Sequence, residues 1–326
     1  MTLPQVFITR RLPTQLQRLE EIANVEVWTK RQPPPYEVLL EKVKKVNGLL
    51  CLLSDRIDRH LLEGGMSLRA ISQMAVGYDN IDIGAATARG IPVGHTPGVL
   101  TDATADLTWA LLMVAARRIV EADRFVRAGE WQTWEPDLLL GPNIAGATLG
   151  IIGFGRIGQA MARRAKGFDM RVVYTSKHRC DLELEQKLDV EFTNFETLLQ
   201  LSDFVTIHTP LSPETDGLFA ENEFALMKKS AILINTSRGA IINPNALYKA
   251  LSSGEIAGAA IDVTEPEPIP TDSPLLTLDN LIITPHIGSA SFQTREKMAS
   301  MAIDNLIAGL KGERLPNCVN PEIYEL

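Results

Sequence analysis

Short apolar runs recur over the first hundred residues, at 6–9, 25–28 and 49–53, and between them the stretches 16–22 and 36–46 bring apolar residues back every three or four positions. A strand buried on both faces reads as an unbroken apolar run, and a helix resting on a core reads with a period near 3.6. Strand therefore alternates with helix, which predicts a parallel sheet covered on both sides. A second series of six runs follows at 149–153, 171–175, 204–208, 232–235, 259–263 and 282–284. Between the two series, 103–128 is rich in Ala, Leu and Met and ends at Gly129, which predicts one long helix joining two domains. A last helix over 291–310 is placed to cross back onto the first series.

Length agrees with a division in two, because 326 residues exceed what one hydrophobic core usually serves. Hydrophobic residues make up 45% and charged residues 22%, the balance of a soluble globular chain and not of a disordered or membrane one. The formal charge is 32 − 40 = −8, and the basic residues stand singly or in pairs such as Arg163-Arg164, so nucleic acid is excluded as an expected partner. Cys51, Cys180 and Cys318 lie far apart without metal-ligand spacing, and an odd number cannot all pair within one chain. They read as thiols of a reducing compartment, and no metal is expected. No charged leader opens the chain and no apolar run reaches membrane-spanning length, so the expected location is cytoplasmic, with no membrane partner.

The first run of the second series leads directly into Gly153-Phe154-Gly155-Arg156-Ile157-Gly158, and a helix over 159–166 follows. In a G-x-G-x-x-G turn the first glycine makes the tight bend and the second lets the backbone approach a pyrophosphate. The third lets helix and strand pack closely, and the helix N-terminus offers free N–H groups to the phosphates. The expected class is thus α/β, two doubly wound parallel-sheet (Rossmann-like) domains. Residues 100–287 would bind a dinucleotide, and a discontinuous domain from 1–99 and 288–326 would bind substrate. After the next strand, where NAD-binding proteins usually offer Asp or Glu to the ribose, the chain reads Tyr174-Thr175-Ser176-Lys177-His178-Arg179. Ser176, Lys177 and Arg179 suit a 2′-phosphate, which a carboxylate would repel. NADP(H) is the expected cofactor, with NAD(H) admitted.

Three further motifs each follow a predicted strand: Ser237-Arg238-Gly239, Glu265-Pro266-Glu267-Pro268 and Pro285-His286-Ile287-Gly288-Ser289. Ligands of open α/β sheets bind outside the carboxyl ends of the strands, so the three loops would converge. Reducing a 2-oxo acid needs a cation for the carboxylate and a proton donor for the oxygen. Arg238 has the forked donors for the first task. His286, beside a carboxylate such as Glu267, has the chemistry for the second. Taken singly, Arg238 could be a surface ion-pair partner, Glu267 a solvated loop residue and His286 a polar residue before a helix. His60 and His95 read as structural, and His208 as at most a neighbour of the cofactor.

With these residues the chain resembles the D-2-hydroxyacid dehydrogenase family over nearly its whole length, and within it the glyoxylate/hydroxypyruvate reductase branch. The resemblance rests on Ala75-Val76-Gly77-Tyr78-Asp79-Asn80-Ile81-Asp82, the 153–158 turn, His208-Thr209-Pro210-Leu211, Asn235-Thr236-Ser237-Arg238-Gly239, Asp262-Val263-Thr264-Glu265-Pro266-Glu267-Pro268 and the His286 motif. It implies reduction of small 2-oxo acids, glyoxylate to glycolate and hydroxypyruvate to D-glycerate. It also implies Arg238 as substrate anchor, His286 as acid/base with Glu267 as partner, Val76 and Gly77 as backbone donors to the substrate carboxylate, and Leu53 in the pocket wall. Thr104, Arg156, Ile157, Ser176, Thr209, Pro210, Thr236 and Asp262 fall at family cofactor positions, with Asp262 toward the nicotinamide amide. Trp131-Gln132-Thr133-Trp134 matches the same branch, which implies a homodimer through the cofactor domain with Trp134 reaching the neighbouring subunit. Alternatives are a D-lactate, phosphoglycerate or phosphite type of dehydrogenase, or a dinucleotide-sensing binding protein; the intact Arg238, Glu267 and His286 weigh against the last.

Overall fold

A computed structural model describes residues 2–325, and the chain divides into two compact units, 1–100 with 289–326 and 101–288. In the first unit β1 (Gln5–Ile8), β2 (Asn24–Val27), β3 (Gly48–Cys51), β4 (Ala70–Gln73) and β5 (Val93–Gly94) form a sheet in the order β2-β1-β3-β4-β5. Every pairing is parallel. Side chains alternate between its faces, as a period of two requires. Phe7, Leu49 and Ile71 pack with Leu39, Val43, Leu61 and Leu62 on one side. Val6, Ile8, Leu50 and Ala70 pack on the other against Met298, Ala302, Ile303 and Leu306 of the helix Phe292–Lys311. That helix lies so close that a Cβ at Gly309 would stand 2.3 Å from the Cβ of Ala70, and the Ser72 hydroxyl donates to the Ala302 carbonyl at 2.7 Å.

The second unit carries β6 (Thr148–Ile152), β7 (Arg171–Thr175), β8 (Val190–Phe192), β9 (Phe204–Ile207), β10 (Ile232–Asn235), β11 (Gly258–Ile261) and β12 (Leu281–Ile283). Their order is β12-β11-β10-β9-β6-β7-β8, again all parallel. The strand order reverses between β6 and β9, the kind of switch point at which open α/β sheets leave a crevice. The helices Thr101–Ala116 and Arg156–Ala165 cover one face, and Leu198, Phe219, Phe224 and Leu247 lie on the other. Among the described residues no helix is long and apolar enough to cross a membrane, and no group of His, Cys, Asp and Glu could hold a metal ion.

Two expectations need correction. The sheet has seven strands, not six: β8 is a three-residue edge strand without a fully buried position, too short and too solvated to register as an apolar run. The single helix expected over 103–128 is two, Thr101–Ala116 and Ile119–Arg127, broken where Arg118 turns left-handed at φ 50° and clamps Glu121 with two hydrogen bonds of 2.6 and 2.9 Å. No Gly or Pro marks the break. The first helix buries Ala105, Trp109, Leu112 and Ala116, whereas the second buries nothing, so the division reflects where the core ends and not helix propensity. Gly309→Ala is expected to lower unfolding stability in urea by roughly 1–3 kcal/mol through overpacking against Ala70, and adding Ala70→Gly should recover part of that loss.

Candidate active site

The glycine turn is built for close approach. Gly153 sits at φ +89°, and a Cβ there would come within 2.7 Å of the His208 carbonyl carbon and the Thr209 nitrogen. A Cβ on Gly158 would reach the Gly153 oxygen at 2.3 Å, so the third glycine seats the helix on the strand. A Cβ on Gly155 would meet nothing within 4 Å, leaving open space over the helix start. The helix begins at Arg156, three residues earlier than expected, and no side chain caps it. Its first N–H groups therefore remain available for phosphate oxygens, which is the fit a dinucleotide requires. Arg156 is exposed beside this opening, and Ile157 packs against the core.

At the end of β7 the absence of a carboxylate in 175–179 holds, but the basic loop is less free than the sequence implied. The Ser176 hydroxyl already donates to the His178 carbonyl. Arg179 donates through Nε and Nη2 to Glu185 at 2.8 and 2.7 Å, and the Tyr174 hydroxyl donates to the same carboxylate at 2.6 Å. With Arg179 and then Tyr174 on it, the Glu185 carboxyl is held down to about 2. Tyr174 in turn stacks on Phe154 of the glycine turn, ring centroids 4.0 Å apart. Glu185 was not legible as a site residue: it lies in an acidic helical run, Leu182–Leu188, with nothing to set it apart from Glu183.

The loops after β9, β10, β11 and β12 are tied to one another. The Ser237 hydroxyl donates to the Thr209 carbonyl, which joins the first two, and the exposed Pro210 accepts from the Thr215 hydroxyl at 2.7 Å. Asn235 accepts from the Ser237 N–H at 3.0 Å and donates to the Arg238 carbonyl at 2.9 Å, fixing the turn that carries Arg238. A Cβ on Gly239 would stand 2.1 Å from the Thr264 carbonyl, so the second and third loops touch through backbone. The third reaches the fourth through side chains, with Glu267 Oε1 2.6 Å from His286 Nδ1. Thr236 meets Thr108 hydroxyl to hydroxyl at 2.7 Å, and Thr104 is buried with its side chain 3.4 Å from where a Gly288 Cβ would be.

His286 stands in the left-handed region at φ 54°, a conformation that costs an L-residue roughly 1–2 kcal/mol and persists only where its surroundings impose it. His208, just past β9, is no rival as a proton donor. Burial pushes its imidazole down to about 3, so it is neutral at neutral pH, and its Nε2 has no partner among the described residues.

On the smaller unit Leu53 is exposed, and the carbonyls of Val76 and Gly77 accept from His95 Nδ1 at 3.0 Å and Gln73 Nε2 at 3.2 Å. The N–H groups of Val76 and Gly77 donate to no atom among the described residues. Trp134 is 80% exposed.

Comparison with known proteins agrees with the geometry. The family model for the D-isomer specific 2-hydroxyacid dehydrogenase, NAD binding domain, matches residues 109–288. The chain is 53% identical over 325 residues to a glyoxylate reductase of Thermococcus litoralis, covering 98% of both sequences. A crystal structure of a Thermus thermophilus protein superposes with a TM-score of 0.91 at 47% identity, covering 97% of this chain and 99% of that one. An NADPH-dependent glyoxylate/hydroxypyruvate reductase of Sinorhizobium meliloti, solved with NADP and malonate, gives 0.86 at 28% identity over 98% of each. The chain belongs to the D-isomer specific 2-hydroxyacid dehydrogenase family of NAD(P)-dependent oxidoreductases.

Proposed function

We propose that this protein reduces small 2-oxo acids to D-2-hydroxy acids, glyoxylate to glycolate and hydroxypyruvate to D-glycerate, with NADPH preferred over NADH. The observation that carries the reading is the 2.6 Å contact between His286 and Glu267 on the loops next to Arg238. A bound dihydronicotinamide supplies the hydride. Arg238 holds the substrate carboxylate and polarises the carbonyl with its forked donors. As the carbonyl oxygen gains charge, His286 releases a proton to it from Nε2, while Glu267 holds Nδ1–H and stabilises the imidazolium.

His286→Ala is expected to lower kcat for glyoxylate by roughly 10²- to 10⁴-fold while NADPH still binds; near-parental turnover would place the acid elsewhere. Glu267→Gln should lower kcat less than His286→Ala does, because Nδ1 then loses its carboxylate while Nε2 remains to meet the substrate.

Cofactor preference is read from the loop after β7, where Lys177 is exposed and residues 175–180 include no carboxylate. The Sinorhizobium meliloti relative, solved with NADP, supports the same reading. NADPH should bind roughly ten- to a hundredfold more tightly than NADH. Lys177→Ala should remove more of that difference than Arg179→Ala, because Arg179 already spends two donors on Glu185; equal affinities in the parent would end the assignment.

The partner is a second copy of this chain. No residue from 117 to 143 is buried, and this arm exposes Ile119, Val126, Trp131, Trp134 and Leu140. Apolar side chains gathered on one segment are costly in water and mark a docking surface. The solution mass is expected to be twice the 35.9 kDa of one chain, with Trp134→Ala altering the ratio of glyoxylate to hydroxypyruvate turnover; an active monomer would exclude it.

A further inference from the structure

Asp262 follows β11 directly and is 1% exposed. Its Oδ1 accepts from the Thr284 hydroxyl at 2.5 Å and from the Ile287 N–H at 2.9 Å, and its Oδ2 accepts from the Gly288 N–H at 2.7 Å. Its backbone carbonyl accepts from the His286 N–H at 2.9 Å. One residue therefore binds the turn on both sides of His286 and at His286 itself. Successive N–H groups aimed at one anion form a nest, and a left-handed residue at the turn is what brings them to the same side. The same contact makes Gly288 a tight fit, since a Cβ there would stand 3.3 Å from Asp262 Oδ2.

We infer that Asp262 is a positioning residue whose carboxylate holds residue 286 left-handed and thereby aims the His286 ring at Glu267. Resting on the reading of His286 as proton donor, this gives Asp262 a task complete in the protein alone, separate from any contact with a nicotinamide amide. The left-handed backbone sets the direction of the His286 Cα–Cβ bond, and that direction decides whether Nδ1 reaches Glu267. Without the carboxylate, 286 is free to relax to an ordinary φ and the ring swings from its partner. Thr284 contributes one of the three donors and belongs to the same device.

The test reads the full chain by NMR without cofactor, and kcat with NADPH and glyoxylate. The ¹⁵N and ¹H resonances of His286 Nδ1, assigned by their loss in His286→Gln, report the bond to Glu267. Asp262→Ala and Asp262→Asn are expected to abolish the hydrogen-bonded Nδ1 signature and to lower kcat by roughly 10²-fold, the scale of a misplaced reacting group. Thr284→Val should weaken the same signature and lower kcat severalfold. Parental Nδ1 resonances in the Asp262 variants would overturn the inference even if turnover fell, because Asp262 would then act on cofactor or substrate. If the Asp262 variants fail to fold, Thr284→Val decides, and an unchanged signature there overturns it. Near-parental turnover in His286→Ala would instead remove the proton-donor reading, and the resonances would still decide whether Asp262 clamps the turn.

Discussion

Seven strands run parallel in the larger unit, so all their carboxyl ends lie along one edge of the sheet, and everything chemical in that unit is gathered there. A parallel sheet covered by helices on both faces keeps the side chains of its central strands out of water, which is why β9, β10 and β11 are buried at every position. Groups that must meet a ligand can only stand just past the strand ends. Arg238, Asp262, Glu267 and His286 do so, each within six residues of a strand. The short loops then fasten to one another, and the geometry of the site is the geometry of those fastenings.

The fastening around His286 is the one with a visible conformational cost. A buried carboxylate accepting three hydrogen bonds holds a non-glycine residue at positive φ. Local stability is given up so that one imidazole points at one carboxylate, the usual balance at sites that must be organised before the substrate arrives. His208, past β9, shows the opposite use of burial: desolvation keeps its ring neutral.

At the other end of the sheet, the basic loop after β7 combines an exposed Lys177 with an Arg179 that is half committed to Glu185. A guanidinium has five N–H donors, and this pair uses two of them. The carboxylate both orients Arg179 and offsets its charge, so the two cations of the loop are not equivalent, although the sequence shows them two residues apart in one basic run.

Apolar periodicity by itself determined the α/β class, most strands and the placement of the glycine turn, because these depend on local pattern and on steric rules that hold in any parallel fold. The ranges 171–175 and 232–235 match β7 and β10 to the residue. Arg238, Glu267 and His286 could be singled out as candidates for the same reason, since each lies within four residues of the end of a strand-like run. What the tertiary structure decided was which groups share atoms. Nothing in the sequence distinguishes Asp262 as the acceptor for three donors located 22 to 26 residues later, Glu185 as the partner of Arg179, or Arg118 as the place where an Ala-rich helix leaves the core. Such contacts depend on the register between separate strands and on where a core runs out, and both arise only when the whole sheet has closed.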